Sequence, residues 1–321
     1  MRVVWGKAFN VNGSIAMLQG YMGCFDCSTD EAANIPKPVT VVAGFATSLE
    51  KWEQWETNWR LVLAEFHAPY FHMKEFFDTR KGAFAEPRWR SEKYRNKFIE
   101  ALSNVTSDWM LVTVGGLMDH HLFEQASLVC KVSGIFNPFS ACGRDCAVRT
   151  RDLIRGKYKS DLPIAYVFER GDPGPEMLDR LMLRSELPSP LFKRPRPAEN
   201  PALEKEDPHL SQLQAADLLA WHMRRASHDG GLNRESFDAS IKVFHRIPDR
   251  SWKECTKEHM VTLLHSLEAE RIPITEFEKF DATVRQVFSV PHSEIVKREK
   301  EYQRKRKRIR EKRIKTIKVS R

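Results

Sequence analysis

One carboxylate lies on the otherwise apolar, small-residue face of a predicted helix over residues 207–225. This is Asp217, which is surrounded in the chain by Leu and Ala. Because removing an unpartnered carboxylate from water is costly, we expect it to be hydrogen-bonded, ion-paired or bound to a metal ion. The alternative is that Asp217 faces solvent at the helix surface and does no chemistry.

Three further segments place acids or a histidine at or near the end of an apolar run. They are 21–28 with Asp26, 69–76 with His72 and Glu75, and 164–172 with Glu169. In the first and the third, an apolar segment typical of a buried strand leads directly to the acid. Each of these strands is therefore predicted to present a carboxylate at its tip.

Taken together, the four segments resemble the DUF3800 family of domains, for which a ribonuclease-H-like fold is predicted. The similarity extends from about residue 21 to about residue 225 and includes the run Val-Val-Ala-Gly-Phe at 41–45. The family often has a second acid directly after the first Asp, and this chain has Cys27 there. That departure weakens any expectation of a carboxylate role at position 27.

The ribonuclease-H-like arrangement implied by the resemblance takes acids from the first strand, a later strand and a late helix. Asp26, Glu169 and Asp217 match these places in order. Mg²⁺ prefers hard oxygen ligands, and two divalent ions about 4 Å apart can activate water and stabilise a leaving oxygen. We therefore expect the three carboxylates to bind Mg²⁺ or Mn²⁺ in a nuclease that hydrolyses phosphodiester bonds. The alternative, favoured by Cys27, is a catalytically silent nucleic-acid-binding protein, or a phage or defence interaction protein, of the same fold.

His72 and Glu75 are further catalytic candidates. A strand or a tight turn could direct either side chain toward the acids, where His72 would orient water and Glu75 would be a fourth ligand. The alternatives are a histidine packed among aromatic residues, and a surface Glu75 paired with Lys74 or Arg80.

Other polar residues near these segments have weaker assignments. Ser28 is positioned to hydrogen-bond a metal-bound water or the substrate. Gln214 precedes Asp217 by three residues, so the two side chains are neighbours on a helix, and Gln214 either holds the carboxylate or packs. Asp30, Glu31 and Asp172 are expected to face solvent.

The six cysteines are predicted to be reduced thiols, since no export signal precedes them. Strand alternation places Cys24 on the face of Asp26 and Cys27 on the opposite face. A zinc site is the alternative, in which Cys24 and Cys27 would join Cys142 and Cys146.

Excess positive charge is concentrated at the C-terminal end. Residues 297–321 contain 14 Lys or Arg and 3 Asp or Glu, whereas the preceding residues hold 38 basic and 40 acidic side chains. Such a basic segment attracts polyanions through counterion release, so nucleic acid, DNA or RNA, is the expected partner. The alternative is a solvated tail that aids solubility.

No apolar stretch reaches the roughly 18 residues that a membrane helix needs. The sequence also carries no phosphate-binding loop, dinucleotide fingerprint or kinase signature. We expect a cytoplasmic protein of bacteria or their phages, without membrane contact.

The predicted fold class is α/β, with a ribonuclease-H-like mixed sheet flanked by helices, a C-terminal helical extension and a basic tail. The predicted domains are 1–228, a helical appendage at 229–296 and the tail at 297–321. Within the first domain, strands are expected at 14–26, 37–47, 70–73, 109–114 and 164–169, with Gly115 and Gly116 ending the fourth. Helices are expected at 49–66, 91–105, 117–130, 143–156, after Pro175 and at 207–225. Beyond residue 228 only helices are expected, at 236–245, 255–270 and 275–288.

A stripe of tryptophans follows a helical period between Trp52 and Trp59. A stripe of this period is typical of a helix face packed against a sheet. The alternative is a platform on which bases stack.

Overall fold

The computed structural model describes residues 20–30, 37–80, 82–130, 137–172, 174–198, 200–228 and 242–262. All of them belong to the first of two compact units, Met1–Glu268. The basic tail, the predicted helix at 275–288, most of the predicted appendage and the predicted strand residues before position 20 lie outside the described ranges.

Six strands form one mixed sheet in the order β5-β4-β1-β2-β3-β6. They are β1 (Tyr21–Thr29), β2 (Val39–Ser48), β3 (Val112–Asp119), β4 (Ile164–Glu169), β5 (Leu191–Lys193) and β6 (Asp249–Glu254). The first three strands are antiparallel neighbours. β4 lies parallel to β1, β5 parallel to β4, and β6 parallel to β3. The predicted α/β class with a mixed sheet is confirmed.

Helices cover both faces of this sheet. They are α1 (Leu49–Glu65), α2 (Met73–Phe77), α3 (Glu92–Trp109), α4 (His120–Val129), α5 (Pro138–Tyr158), α6 (Pro175–Arg184), α7 (Pro201–Glu206) and α8 (Gln212–His228). α8 packs on β1 and β2 with α1 and α3 around it, and α5 packs on the other face with α6. In the described part of the chain, no helix has the length and apolar character that a membrane span requires.

The tryptophan stripe lies in the core. Ser48 caps α1 by accepting a hydrogen bond from the backbone N–H of Lys51. Trp52, Trp55 and Trp59 are each fully buried. Their indole nitrogens donate to Met22 O at 2.8 Å, Thr106 Oγ1 at 3.3 Å and Gln214 Oε1 at 3.1 Å. The packing interpretation is therefore confirmed, because every ring of the stripe is enclosed and satisfied.

Gly115 and Gly116 lie inside β3 and do not end it, contrary to the prediction. An added Cβ at Gly115 would lie 2.4 Å from Met223 Cε of α8, and one at Gly116 would lie 3.4 Å from the Arg149 guanidinium of α5. The two glycines therefore permit helices to approach the strand closely on both faces. A pair of glycines normally indicates a turn, and here it marks close packing instead.

Several other predictions about elements were wrong. The helix predicted from residue 117 begins only at His120, because residues 117–119 belong to β3, and β5 was not predicted. The aromatic run predicted as a strand at 70–73 is a loop leading into α2. β6 was not predicted, because its sequence Asp-Arg-Ser-Trp-Lys-Glu lacks the apolar alternation of a half-buried strand. This strand lies in a region where only helices were expected, and it joins the edge of the main sheet.

Candidate functional site

Parallel pairing of β1 with β4 brings two of the predicted acids together. The register pairs Phe25 with Phe168, so the next residues, Asp26 and Glu169, are side by side on one face of the sheet. Asp26 is only 4% exposed, and its side chain shares a hydrogen bond with Glu169. A hydrogen bond between two carboxyl groups requires a proton on one of them.

The third predicted acid reaches the same place from α8. Asp217 is buried, and the negative charges of Asp217 and Glu169 both act on Asp26. Asp217 Oδ2 accepts a hydrogen bond of 2.6 Å from the backbone N–H of Met73, the first residue of α2. The helix face that carries Asp217 therefore points to the sheet, and the solvent-facing alternative is wrong.

Asp172 was expected to face solvent, and it does so only in part. Its Oδ2 atom is buried without a hydrogen-bond partner, and the charge of Glu169 acts on it. Asp172 follows Glu169 by three residues across the bend at Gly171. A second acid just after the strand tip was the signal in the sequence that could have identified it.

Three of the four carboxyl groups, Asp26, Asp172 and Asp217, are costly to ionise in this cluster. Burial, together with the charges of Glu169, Asp217 and Asp172, raises the pKa of Asp26 well above its usual range. Burial raises the pKa of Asp217 to about 6, although His72 and the Met73 N–H oppose the shift. Burial and Glu169 raise the pKa of Asp172 to about 8.

No ion pair among the described residues contains any of these four acids. Glu169 interacts electrostatically with the Arg196 guanidinium. Buried carboxylates are normally paired or bound to metal. This cluster is therefore a concentration of negative charge that a divalent cation would relieve.

Glu75 lies in a second group of polar side chains together with Arg196. Glu75 accepts a hydrogen bond of 2.6 Å from the Tyr70 hydroxyl and forms an ion pair with Arg196. The Arg196 guanidinium also lies 5.8 Å from the centre of the Tyr70 ring. The predicted alternatives of Lys74 and Arg80 are wrong, since the partner is Arg196 and Arg80 pairs with Asp78.

His72 lies between the two groups. Its Nδ1 atom is 3.5 Å from Glu75 Oε1 and is buried without a hydrogen bond, and its ring interacts electrostatically with Asp217. The sequence had no signal for Arg196 as a specific contact.

Gln214 stabilises the site through hydrogen bonds that connect α8 to three other segments. Its Oε1 atom accepts hydrogen bonds from Trp59 Nε1 at 3.1 Å and from Phe71 N at 2.9 Å. Its Nε2 atom donates to Pro195 O at 2.6 Å. Gln214 therefore holds the loop before His72 and the loop before Arg196, and it does not bond to the Asp217 carboxylate itself.

Ser28 and Asp30 form a separate polar group further along β1. Ser28 Oγ accepts from Arg224 Nε at 2.8 Å, and the buried Asp30 pairs with Arg224 and His228 at 2.6 and 3.0 Å. Asp30 therefore does not face solvent as predicted, and Glu31 lies outside the described residues. These contacts fix the C-terminal half of α8 to β1.

Carboxylate oxygens are the ligands that a hard divalent cation prefers, but these side chains are not arranged as the ligands of one ion. Among the residues with described positions, no group of three or more His, Cys, Asp or Glu is arranged to hold a metal ion. The described cysteines likewise form no such group for zinc, and all six cysteines are free thiols.

No family model, curated protein or solved structure matches this chain.

The acid cluster gives the metal-free protein a defined dependence of stability on pH. Because the pKa of Asp172 is raised on folding to about 8, the folded state binds more protons than the unfolded state between about pH 4 and pH 8. Stability should therefore fall as the pH rises through this window. Asp172→Asn should remove part of that fall and stabilise the protein by about 1–3 kcal/mol at pH 8.5, with little change at pH 4.

Urea denaturation in EDTA at several pH values measures this effect. Asp161→Asn, at an exposed position, is the matched control and should follow the wild type throughout. If the free energy of unfolding depended on pH in the same way for the wild type and Asp172→Asn, ionisation of Asp172 would not destabilise the folded state.

Proposed function

We propose that this chain is a metal-dependent nuclease of ribonuclease-H-like fold, in which Asp26, Glu169 and Asp217 hold one or two Mg²⁺ or Mn²⁺ ions. One observation carries the proposal. Three carboxylates from distant segments converge, Asp26 and Asp217 buried and Glu169 half-buried, and none of them has a basic partner among the described ion pairs. Their elements are the first described strand of the sheet, a later strand and a late helix, as the resemblance to the DUF3800 family implies.

Divalent ions bound there would supply the charge that activates water and stabilises the leaving oxygen of a phosphodiester. The residues of the chain have separate tasks. Asp26, Glu169 and Asp217 provide the oxygen ligands, and Asp172 adds negative charge beside them. His72, whose Nδ1 atom has no hydrogen-bond partner, is placed to orient water or to hold a proton next to Asp217.

Basic side chains near the acids support a polyanionic substrate. Arg196 lies at the Tyr70 and Glu75 group, Arg194 precedes it on the same loop, and Lys193 ends β5 beside Glu169. The residues 297–321, with their net charge of +11, add a further attraction for the nucleic-acid backbone. The proposed partner is DNA or RNA, and a cytoplasmic location belongs to the same proposal.

Titration with Mn²⁺ tests the site directly. The wild type should bind Mn²⁺, and Asp217→Asn should bind it at least about tenfold more weakly, because one charged oxygen ligand is lost. Isothermal titration calorimetry at pH 7.5 measures both, and Asp108→Asn at an exposed position of α3 is the control. Equal binding by the wild type and Asp217→Asn would refute the metal site.

Cleavage separates the nuclease from the catalytically silent alternative. A plasmid and a structured RNA are incubated with Mn²⁺ and either the wild type or Asp217→Asn. We expect cutting by the wild type alone. A protein that shifts the mobility of either nucleic acid without cutting it would be a binding protein, which is the outcome that Cys27 favours.

A further inference from the structure

An exposed aromatic pair lies beside the acid cluster and has no part in the proposed metal chemistry. The rings of Phe77 in α2 and Trp221 in α8 are stacked, with centroids 4.3 Å apart and planes inclined by 23°. Phe77 is 44% exposed and Trp221 is half-buried. The pair therefore presents π-surface to solvent, unlike the tryptophans of α1.

The environment of Trp221 differs from that of the α1 tryptophans in a second respect. Trp52, Trp55 and Trp59 each donate a hydrogen bond from the indole nitrogen to a buried acceptor. The described hydrogen bonds include none from Trp221. Its ring is thus not fixed by a polar contact at its nitrogen; it contacts the rings of Phe77 and His222 and packs on its inner side against the core.

Two arginines flank the stacked rings. The Arg225 guanidinium lies 5.5 Å from the centre of the Trp221 ring, and that of Arg95 lies 6.0 Å from the centre of the Phe77 ring. Arg95 Nε is buried without a hydrogen-bond partner. The surface around the rings is therefore positively charged as well as aromatic.

The position of the pair relative to the acids follows from the two helices that carry it. Met73 N contacts Asp217 Oδ2, and Phe77 and Trp221 are each four residues further along the same helices. Four residues span about one helical turn, roughly 6 Å. The residues that carry the stack therefore lie about one helical turn from the Met73–Asp217 contact, a length comparable to the spacing of successive nucleotides.

We propose that Phe77 and Trp221, flanked by Arg95 and Arg225, form a platform on which an unpaired nucleobase stacks, so that the substrate is single-stranded nucleic acid. This inference rests on the proposed function, because it places a base next to the reacting phosphate. Aromatic rings accept any base through its π-face, and arginines contact the backbone or stack in turn. A base within a duplex is already stacked on both sides and does not offer its face to the platform.

Binding measured without metal tests the platform. The full-length protein in EDTA is titrated into three fluorescein-labelled probes of equal length: an oligo-dT, an abasic sugar-phosphate strand and a duplex. Fluorescence anisotropy gives each affinity. Because all three probes carry phosphates, comparison of the two single strands removes most of the contribution of the basic residues 297–321.

We expect the wild type to bind oligo-dT roughly tenfold more tightly than the abasic strand, which is the scale of one stacked base. Trp221→Leu should remove this preference, and Trp221→Phe, which retains a ring, should keep most of it. Arg155→Gln, on the opposite face of the sheet, is the control and should leave the preference unchanged. If circular dichroism shows that Trp221→Leu does not fold, Phe77→Leu at the more exposed ring replaces it.

Equal binding of oligo-dT and the abasic strand by the wild type would overturn the platform. Retention of the preference in a folded Trp221→Leu variant, or tighter binding of the duplex, would do so as well. The proposed function fails separately, since a protein with the base preference but without Mn²⁺-dependent cutting has the platform and lacks the nuclease. A protein that cuts but shows no base preference has the nuclease and lacks the platform.

Discussion

We expect the Asp26→Asn variant to unfold at a higher temperature than the wild type in EDTA at pH 7.5 and to lose its metal-dependent cleavage. Asn has nearly the shape of Asp and can still hydrogen-bond Glu169, but it removes one ionisable group from a cluster of four carboxyl groups. The pKa of Asp26 is raised by burial and by three neighbouring carboxylates, so ionising it costs free energy in the folded state. The expected gain is about 1–3 kcal/mol.

The same substitution removes a proposed metal ligand. We therefore expect the cleavage rate to fall by roughly 10³-fold, which corresponds to about 4 kcal/mol of lost transition-state stabilisation. Differential scanning calorimetry and a single-turnover cleavage assay measure the two effects. Asp108→Asn is the control for both, since its carboxylate is exposed on α3.

A gain in stability together with a loss of activity would show that Asp26 serves function and lowers the stability of the fold. If Asp26→Asn were less stable than the wild type, the carboxylate would be a structural group with a compensating partner. An active Asp26→Asn variant would exclude Asp26 from the chemistry.

Gln214→Leu should produce the largest loss of stability of the changes considered. The substitution leaves the Trp59 indole N–H, the Phe71 backbone N–H and the Pro195 carbonyl without their partner in the interior. Each buried polar group left unpaired typically costs about 1–3 kcal/mol. Since the three groups share one partner and do not add fully, we expect a total of about 3–5 kcal/mol.

Urea denaturation at pH 7.5 measures this loss, and Gln54→Leu at an exposed position of α1 is the control. Gln214→Glu should fall between the wild type and Gln214→Leu, because it keeps an acceptor for Trp59 and Phe71 and loses the donor to Pro195. A loss below about 1 kcal/mol for Gln214→Leu would mean that water or a shifted backbone replaces the hydrogen bonds.

The three acids at the centre of the site could be selected from the sequence because each follows a local rule. Asp26 and Glu169 come at the end of apolar strands, and Asp217 lies among small apolar residues on a helix. Strand alternation also gave the correct faces for Cys24 and Cys27, which lie in different halves of the core. Such local patterns predict the structure well because the apolar side chains that form the pattern are the ones that become buried.

The predictions that failed depend on contacts between distant segments. The run at 70–73 has strand composition, but its backbone donors are taken by the side chains of Gln214 and Asp217 and not by a neighbouring strand. The pairing of Glu75 with Arg196 joins positions 121 residues apart, and nothing in either segment indicates it. The alternating polar and apolar pattern that would have revealed β6 is absent, because that strand lies at an edge with charged side chains.

The two outer strands of the sheet have a consequence for assembly. β5 has only three residues, and β6 carries Asp249, Arg250, Lys253 and Glu254 along its six. Short or charged borders resist the recruitment of a foreign strand. We therefore expect protein partners of the described unit to engage its helices and loops, and not to extend its sheet by β-augmentation.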